Sequence, residues 1–475
     1  MSRPNILLIL TDQQRPDTLG YRGLTPCRTP NIDSIAAAGT SFNNTITPCP
    51  LCLPSRAALF TGLYPTQNDM MSNQTGYLRS CGMLDHFRTS GYQVNYAGKW
   101  HMGEGNITDF TDRHAGDSTP EYSQWCVDQG LIDGWMFNDP ATRTTRTPSM
   151  SIPKVHRQNL AVNKTNEAYI TDFAINQIRT RDLDRPFFQV CSYNGPHPPF
   201  MIPEPYFSMY DPADVPRPTN FGPQPGEHPA HATSYYRDLF NDHGTDFELW
   251  SASYAVYWGF VTMIDDFVGQ VLGTLRDEGL DTNTIVVFAS DHGETLGAHG
   301  LWQKMVPFEE AIRVPLIINA SGRKACASDT PASLVDIAPT LSALCELAER
   351  ADWSGRDLFV APKAPPAQFA MHQPLGDWMK VTDWRMIKQG GFKYVWHRGM
   401  VEELFDMDAD PEEVTNLANR PSHAETKQSM RAELGAFLTK TNDPLLGDWR
   451  RENRHRPFRE RPDHRTDAVS DRRYD

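Results

Sequence analysis

Asn5-Ile6-Leu7-Leu8-Ile9-Leu10-Thr11-Asp12-Gln13 is an unbroken apolar run that ends abruptly in polar side chains. Its length and branched residues predict a strand over 4–10 buried on both faces, the kind found inside parallel sheets. The pattern recurs. A strand expected at 92–97 runs into Gly98-Lys99-Trp100-His101, and one at 186–192 into Asn194-Gly195-Pro196-His197. A third, at 284–290, runs into Asp291-His292-Gly293-Glu294. Helical spacing separates them, over 31–38 (capped by Thr29-Pro30 and closed by Gly39), 166–179, 248–278 and 333–347, with another strand at 314–319. Such alternation indicates an α/β fold, a large mostly parallel sheet sandwiched by helices. Ligands of open α/β sheets bind beyond the carboxyl ends of the strands. The polar clusters at 11–13, 99–101, 197 and 291–292 are therefore expected to converge on one rim.

The chain has 475 residues, enough for one large core and a smaller one. Its net charge of −14 argues against a general nucleic-acid surface and means that any anion site must be built locally. The first apolar run is short, lacks a small-residue cleavage site and meets Asp12, so it reads as a strand and not a leader. No stretch is long and apolar enough to span a bilayer. Eight irregularly spaced cysteines in a chain of this size suggest reduced thiols and a cytoplasmic location.

The texture changes after about residue 361. Pro362-Lys363-Ala364-Pro365-Pro366 reads as a linker. Short strands at 384–388, 393–396 and 403–406, separated by glycine turns, suggest a smaller C-terminal antiparallel sheet subdomain. Residues 424–440 form a closing helix. The expected units are 1–361 (catalytic), 362–441 (small sheet and helix) and 442–475. This last tail carries nine arginines and three prolines. It is expected to pack on another subunit of a homo-oligomer through Leu445, Leu446, Trp449 and Phe458, the alternative being a tail that lies on its own chain. Residues 201–247, rich in Pro, His and Tyr, read as a surface excursion.

Residues 48–65 read Pro-Cys-Pro-Leu-Cys-Leu-Pro-Ser-Arg-Ala-Ala-Leu-Phe-Thr-Gly-Leu-Tyr-Pro. Pro54 suits the first turn of a helix and Gly62 its end. Cys52 then lies at a helix N-terminus, which attracts anions. Arg56, four residues on, leans back over it with a fork that fits sulfate or phosphate oxygens. Cys49 and Cys52 also have the spacing of a redox dithiol or half a zinc site. A zinc site needs a second pair, which cysteines 27, 81, 126, 191, 326 and 345 do not supply. A dithiol leaves Pro54-Ser55-Arg56 without a purpose.

Cys52-Leu53-Pro54-Ser55-Arg56 with Leu59-Phe60-Thr61-Gly62 resembles the sulfatase signature, part of the alkaline phosphatase superfamily. The likeness extends through Asn5–Gln13, Gly98-Lys99-Trp100-His101, 290–299, Gln303-Lys304, 310–315, Glu403-Leu404-Phe405-Asp406, Asp410-Pro411-Glu412 and Asn416-Leu417. The resemblance implies that a maturation enzyme oxidises Cys52 to formylglycine, whose hydrate attacks sulfur. It implies that Asp12, Gln13, Asp291, His292 and residue 52 bind one divalent metal. Arg56 and Lys99 would hold the nucleophile and the sulfate, and His101 would accept a proton from residue 52. His197 and Lys304 would contact the sulfate and assist the leaving oxygen.

Many sulfatases have Asp-Asp where this chain has Asp12-Gln13, and Asn where it has His292. A less anionic set with a nitrogen ligand moves the metal preference from strict Ca²⁺ towards Mn²⁺. The same pair is found in the related phosphonate monoester and phosphodiester hydrolases, the competing reading. Lys99, His101 and the full Pro-Ser-Arg favour a small-molecule sulfate ester as substrate. A non-catalytic relative would lack part of the polar set. Asn73 is a candidate polar contact or a turn residue. Trp100, Trp302 and Trp378 are candidate pocket walls for an aryl group, or core.

Overall fold

The computed structural model describes residues 3–73, 78, 82–103, 107–116, 120–128, 155–224, 228–229, 240–241, 244–374 and 382–453. Its main sheet has eight strands: β1 (Asn5–Thr11), β2 (Thr40–Phe42), β3 (Gln93–Gly98), β4 (Arg113–Ala115), β5 (Phe187–Ser192), β6 (Thr284–Ser290), β7 (Leu316–Asn319) and β8 (Cys326–Ser328). They lie in the order β8-β2-β7-β6-β1-β5-β3-β4. The five strands from β6 to β4 are parallel, with Leu8 opposite Val190 on one side and Val287 on the other. β7 runs antiparallel to both β6 and β2.

Alternate side chains of β1 feed two cores, because successive strand residues face opposite ways. Leu7 and Ile9 pack with the helices α1 (Pro30–Ala38), α4 (Asn166–Arg179) and α5 (Phe247–Asp277). Ile6, Leu8 and Leu10 pack with α2 (Cys52–Thr61), α3 (Gly82–Thr89) and α6 (Ile337–Leu344). Both faces are thus covered, as the continuous apolar strands require.

Several local expectations change. Thr29 does not cap α1 with its side chain; its hydroxyl donates to Asp33 Oδ1 (2.8 Å) and accepts from Gly20 N (2.7 Å). α2 begins at Cys52, so Pro54 is its third residue, still inside the turn whose N–H groups have no helical partner. Gly62 ends α2 in the left-handed conformation (φ 70°), its N–H on Ala58 O. The helix expected over 333–347 is shorter. Ala332–Ser333 pairs with Thr45–Ile46, and Asp336 caps back onto Ser333 N before α6 starts.

The C-terminal sheet has four antiparallel strands: β9 (Gln368–His372), β10 (Trp384–Gln389), β11 (Phe392–His397) and β12 (Glu403–Asp406). α7 (Ala424–Lys440) closes it. The sheet props the segments on either side of the rim: Met371 N donates to Pro48 O (2.9 Å), Trp384 Nε1 to Met305 O (3.0 Å) and Lys393 Nζ to Pro307 O (2.8 Å). The described start of the tail forms α8 (Leu446–Asn453). Leu445 is buried in this chain's own C-terminal core, and Leu446 and Trp449 pack half-buried against it. Phe458 and Trp378 lie outside the described residues. Among the described residues no helix is long and apolar enough to cross a membrane.

Candidate active site

Four parallel strands end on the same side of the sheet. Asp12 follows β1, Lys99 follows β3, His197 lies on the loop after β5, and Asp291 and His292 follow β6. α2 delivers Cys52 and Arg56 to the same rim. Cys52, Arg56, Asp12, Asp291 and His292 are all fully or almost fully buried.

Arg56 ties the carboxylates together. Its Nε donates to Asp291 Oδ2 (2.8 Å), its Nη2 lies 3.5 Å from Asp12 Oδ2, and its Nη1 donates to Ser192 Oγ (2.8 Å) and Lys99 O (2.9 Å). Every guanidinium edge is used, as a buried arginine requires. Lys99 Nζ pairs with Asp12 Oδ2. Asp291 Oδ1 accepts from the backbone N–H of Gln13 (3.0 Å) and of His292 (2.8 Å).

Asp12, Cys52, Asp291 and His292 place ligand atoms within 4.8 Å of one another. His292 Nδ1 donates to Gly293 O (3.0 Å), which turns Nε2 toward Cys52 Sγ (3.2 Å), Asp12 Oδ1 (3.6 Å) and Asp291 Oδ1 (3.7 Å). Fixing one imidazole nitrogen through the other is how a histidine ligand is oriented. Burial and the neighbouring Asp12 push the Asp291 carboxyl up, a repulsion that a divalent cation between them would relieve. Two carboxylates, an imidazole nitrogen and the residue-52 atom thus fit such a cation. Sγ stands where an oxygen of oxidised residue 52 would sit. Gln13, expected among the ligands, turns its side chain to Lys304 (through Oε1) and Glu294 (through Nε2). An amide oxygen has two lone pairs, so Oε1 can serve both Lys304 and a cation.

The thiol itself is unusual. Burial alone would push Cys52 up, but Lys304, Lys99 and His292, with a hydrogen bond from His101, hold it well below the ordinary value. Burial pushes Cys49 up strongly and Cys191 up to about 12. The described cysteines carry no disulfide. On Asp12, burial and Cys52 act upward, but Lys99, His197 and His292 hold the carboxyl well below the usual range.

The far end of the site is a lysine–histidine pair. His197 Nδ1 donates to Pro198 O (2.6 Å), so Nε2 accepts from Lys304 Nζ (2.9 Å). Burial and Lys304 depress His197, consistent with a neutral ring. Asn73 Oδ1 accepts Leu53 N (3.0 Å), capping a first-turn N–H of α2 from outside the helix, whose own cap residue Leu51 offers no side-chain acceptor. Trp302 is core against Trp250, whereas Trp100 stacks on Phe110 and is half-buried.

Two residues received no role from the sequence. Ser192, the last of β5, accepts from Arg56 and donates to Lys99 O (2.9 Å). Glu294 holds Gln13. Their signal was position alone, at or just past a strand end.

The sulfatase family model matches residues 4–347, and the model of the N-sulphoglucosamine sulphohydrolase C-terminal region matches 297–440. An uncharacterized sulfatase of Escherichia coli K12 is 29% identical, with 97% of this chain and 94% of the relative covered. An arylsulfatase of Clostridium perfringens is 28% identical, covering 90% of this chain and 93% of the relative. A phosphonate monoester hydrolase of Agrobacterium radiobacter shares the fold, with TM-score 0.77 at 23% identity, over 92% of this chain and 96% of that one.

Proposed function

The chain belongs to the sulfatase family, and from that premise we propose that it hydrolyses sulfate monoesters of small alcohols, using formylglycine made from Cys52 and one divalent cation, Ca²⁺ or Mn²⁺. The observation that carries this reading is the environment of Cys52. It is a buried thiol held well below its ordinary value by Lys304, Lys99 and His292. A pocket that stabilises negative charge at residue 52 also stabilises an attacking oxyanion and a sulfuryl group.

Hydrated formylglycine would supply the attacking hydroxyl, and a divalent cation held beside it would lower the pKa of that hydroxyl. Asp12, Asp291, His292 and residue 52 would hold the cation, with Gln13 Oε1 beside them. Arg56 keeps both carboxylates in place through its bonds to Asp291 and Asp12. Lys99 and Lys304 bring positive charge to the sulfate from two sides. Lys304 and His197 stand at the leaving oxygen, where a positioned proton donor contributes about 10²–10⁴ in rate. His101, hydrogen-bonded to residue 52, takes a proton from it.

Gln13 and His292, together with the fold shared with a phosphonate monoester hydrolase, support a second reading, a phosphonate monoester or phosphodiester hydrolase with side activity on sulfates. The measurement that separates them is kcat/KM for 4-nitrophenyl sulfate against 4-nitrophenyl phenylphosphonate, which share a leaving group. The sulfate is expected to be preferred; a large preference for the phosphonate makes the second reading the right one.

A further inference from the structure

Glu294 is fully buried and takes no part in the chemistry above. Its Oε2 accepts from Gln13 Nε2, and its Oε1 accepts from Leu296 N (3.0 Å) and Gln303 N (2.6 Å). A carboxylate only accepts, so Gln13 must present its NH₂ to Glu294 and its oxygen to Lys304. Lys304 Nζ donates to that oxygen and to His197 Nε2. One acid therefore sets the polarity of a chain that runs Glu294, Gln13, Lys304, His197.

The backbone gives the same residue a second role. Gln13 (φ 68°), Leu296 (φ 45°), Gln303 (φ 79°) and Met305 (φ 72°) all lie in the left-handed region without being glycine. Such strained residues persist where the surroundings over-determine them. Glu294 bonds directly to the first three and so pins the loop that carries Lys304.

We propose that Glu294 is a positioning residue, which orients the Gln13 amide and the 303–305 loop so that the Lys304 ammonium stays on His197 Nε2 at the leaving-group end of the site. This rests on the sulfate-ester reading for its kinetic consequence, though not for its geometry. Glu294→Gln keeps the shape but offers an amide where a pure acceptor is needed. Gln13 then loses its fixed orientation, and Lys304 its acceptor.

The test has two arms. In the first, kcat is measured for aryl sulfates whose phenols differ in acidity, with metal content and Tm followed in parallel. Glu294→Gln is expected to fall by about tenfold on 4-nitrophenyl sulfate and about a hundredfold or more on phenyl sulfate, because only the poorer leaving group needs a held proton donor. KM should stay near wild type when the metal is saturating, because the Gln13 oxygen that turns from Lys304 also turns from the cation. A structural defect would lower both substrates equally, and that equal loss overturns the proposal. In the second arm, the crystal structures of wild type and variant are compared. The Lys304–His197 hydrogen bond should be present in wild type and lost in the variant; its retention in the variant overturns the proposal. If wild type hydrolyses no aryl sulfate, the sulfate-ester reading fails and the crystallographic arm alone decides the positioning role. Should Glu294→Gln not fold, Gln13→Glu/Glu294→Gln restores one donor facing one acceptor. It is expected to keep Lys304 on His197, and loss of that contact would overturn the proposal.

Discussion

Two buried clusters of lysine, arginine and carboxylate hold this molecule together, and they reach opposite results. On the rim, Arg56, Lys99 and Lys304 surround Asp12, Asp291 and Cys52, and the thiol is pulled down. Under the C-terminal sheet, Lys388 and Lys393 both reach Glu309 (2.8 and 3.1 Å), while Glu413 shares Lys393 and accepts Glu309 N (2.7 Å). There burial, with Glu309 and Glu310 close by, outweighs Lys393 and pushes Glu413 up to about 8. In the first cluster the cationic groups converge on one buried atom and hold negative charge there; in the second they are shared between two glutamates, one of which keeps its proton. Positive charge converging on one buried atom makes a site, and charge shared out among several partners makes a brace.

The comparison breaks most sharply at the two cysteines of residues 49–52. Cys52→Ala is expected to lower kcat/KM on the order of 10⁴-fold or more with Tm nearly unchanged. Cys49→Ala removes a thiol that burial keeps protonated. It should leave turnover within about threefold and cost about 1 kcal/mol in denaturant unfolding. A second probe removes the proposed cation. Dialysis against a chelator should bring turnover to background and lower Tm, since Asp12 and Asp291 are left to repel each other, and re-addition of Mn²⁺ or Ca²⁺ should restore both. Full activity in metal-free protein would contradict this.

The buried ion pairs of the C-terminal sheet should fail in stability, not in chemistry. Arg385 is fully buried, bidentate on Asp443 (2.6 and 3.0 Å), and also donates to His372 O and Trp384 O. Arg385→Ala strands a buried carboxylate and is expected to cost about 3–5 kcal/mol of unfolding free energy, with a much smaller effect on kcat. The smallest effect concerns Glu413. Its folded pKa lies above the ordinary carboxylate value, so the folded state binds the extra proton. The stabilisation is complete below the unfolded pKa and is lost as pH rises towards about 8. Glu413→Gln keeps the neutral form, so its Tm should decline less than that of wild type across this window.

Much of this was legible in the sequence, for physical reasons that differ by element. The long apolar strands at β1 and β6 and the helix over 424–440 declare themselves through burial on both faces and through helical period. The rim followed from strand ends carrying Asp12, Lys99, His197 and Asp291. The direction of β7 was not legible, because a four-residue apolar run carries no sign of whether it returns antiparallel. β2, β4, β8 and β9 were missed because they are short and their apolar residues show no clear period. The capping turn at Ser333–Asp336 looked helical because its hydrophobic spacing continues into α6. Glu294 and Ser192 act through partners 281 and 136 residues away in the chain, and no local pattern encodes such pairs.

The central claim is that residue 52 is the nucleophile once it has been oxidised. Peptide mass spectrometry of protein produced together with a formylglycine-generating enzyme tests it most directly. The peptide containing residue 52 should be lighter by roughly 18 Da, the difference between CH₂SH and CHO, and sulfate-ester turnover should rise in proportion to the converted fraction. A peptide that retains an unmodified cysteine in fully active protein would contradict the account.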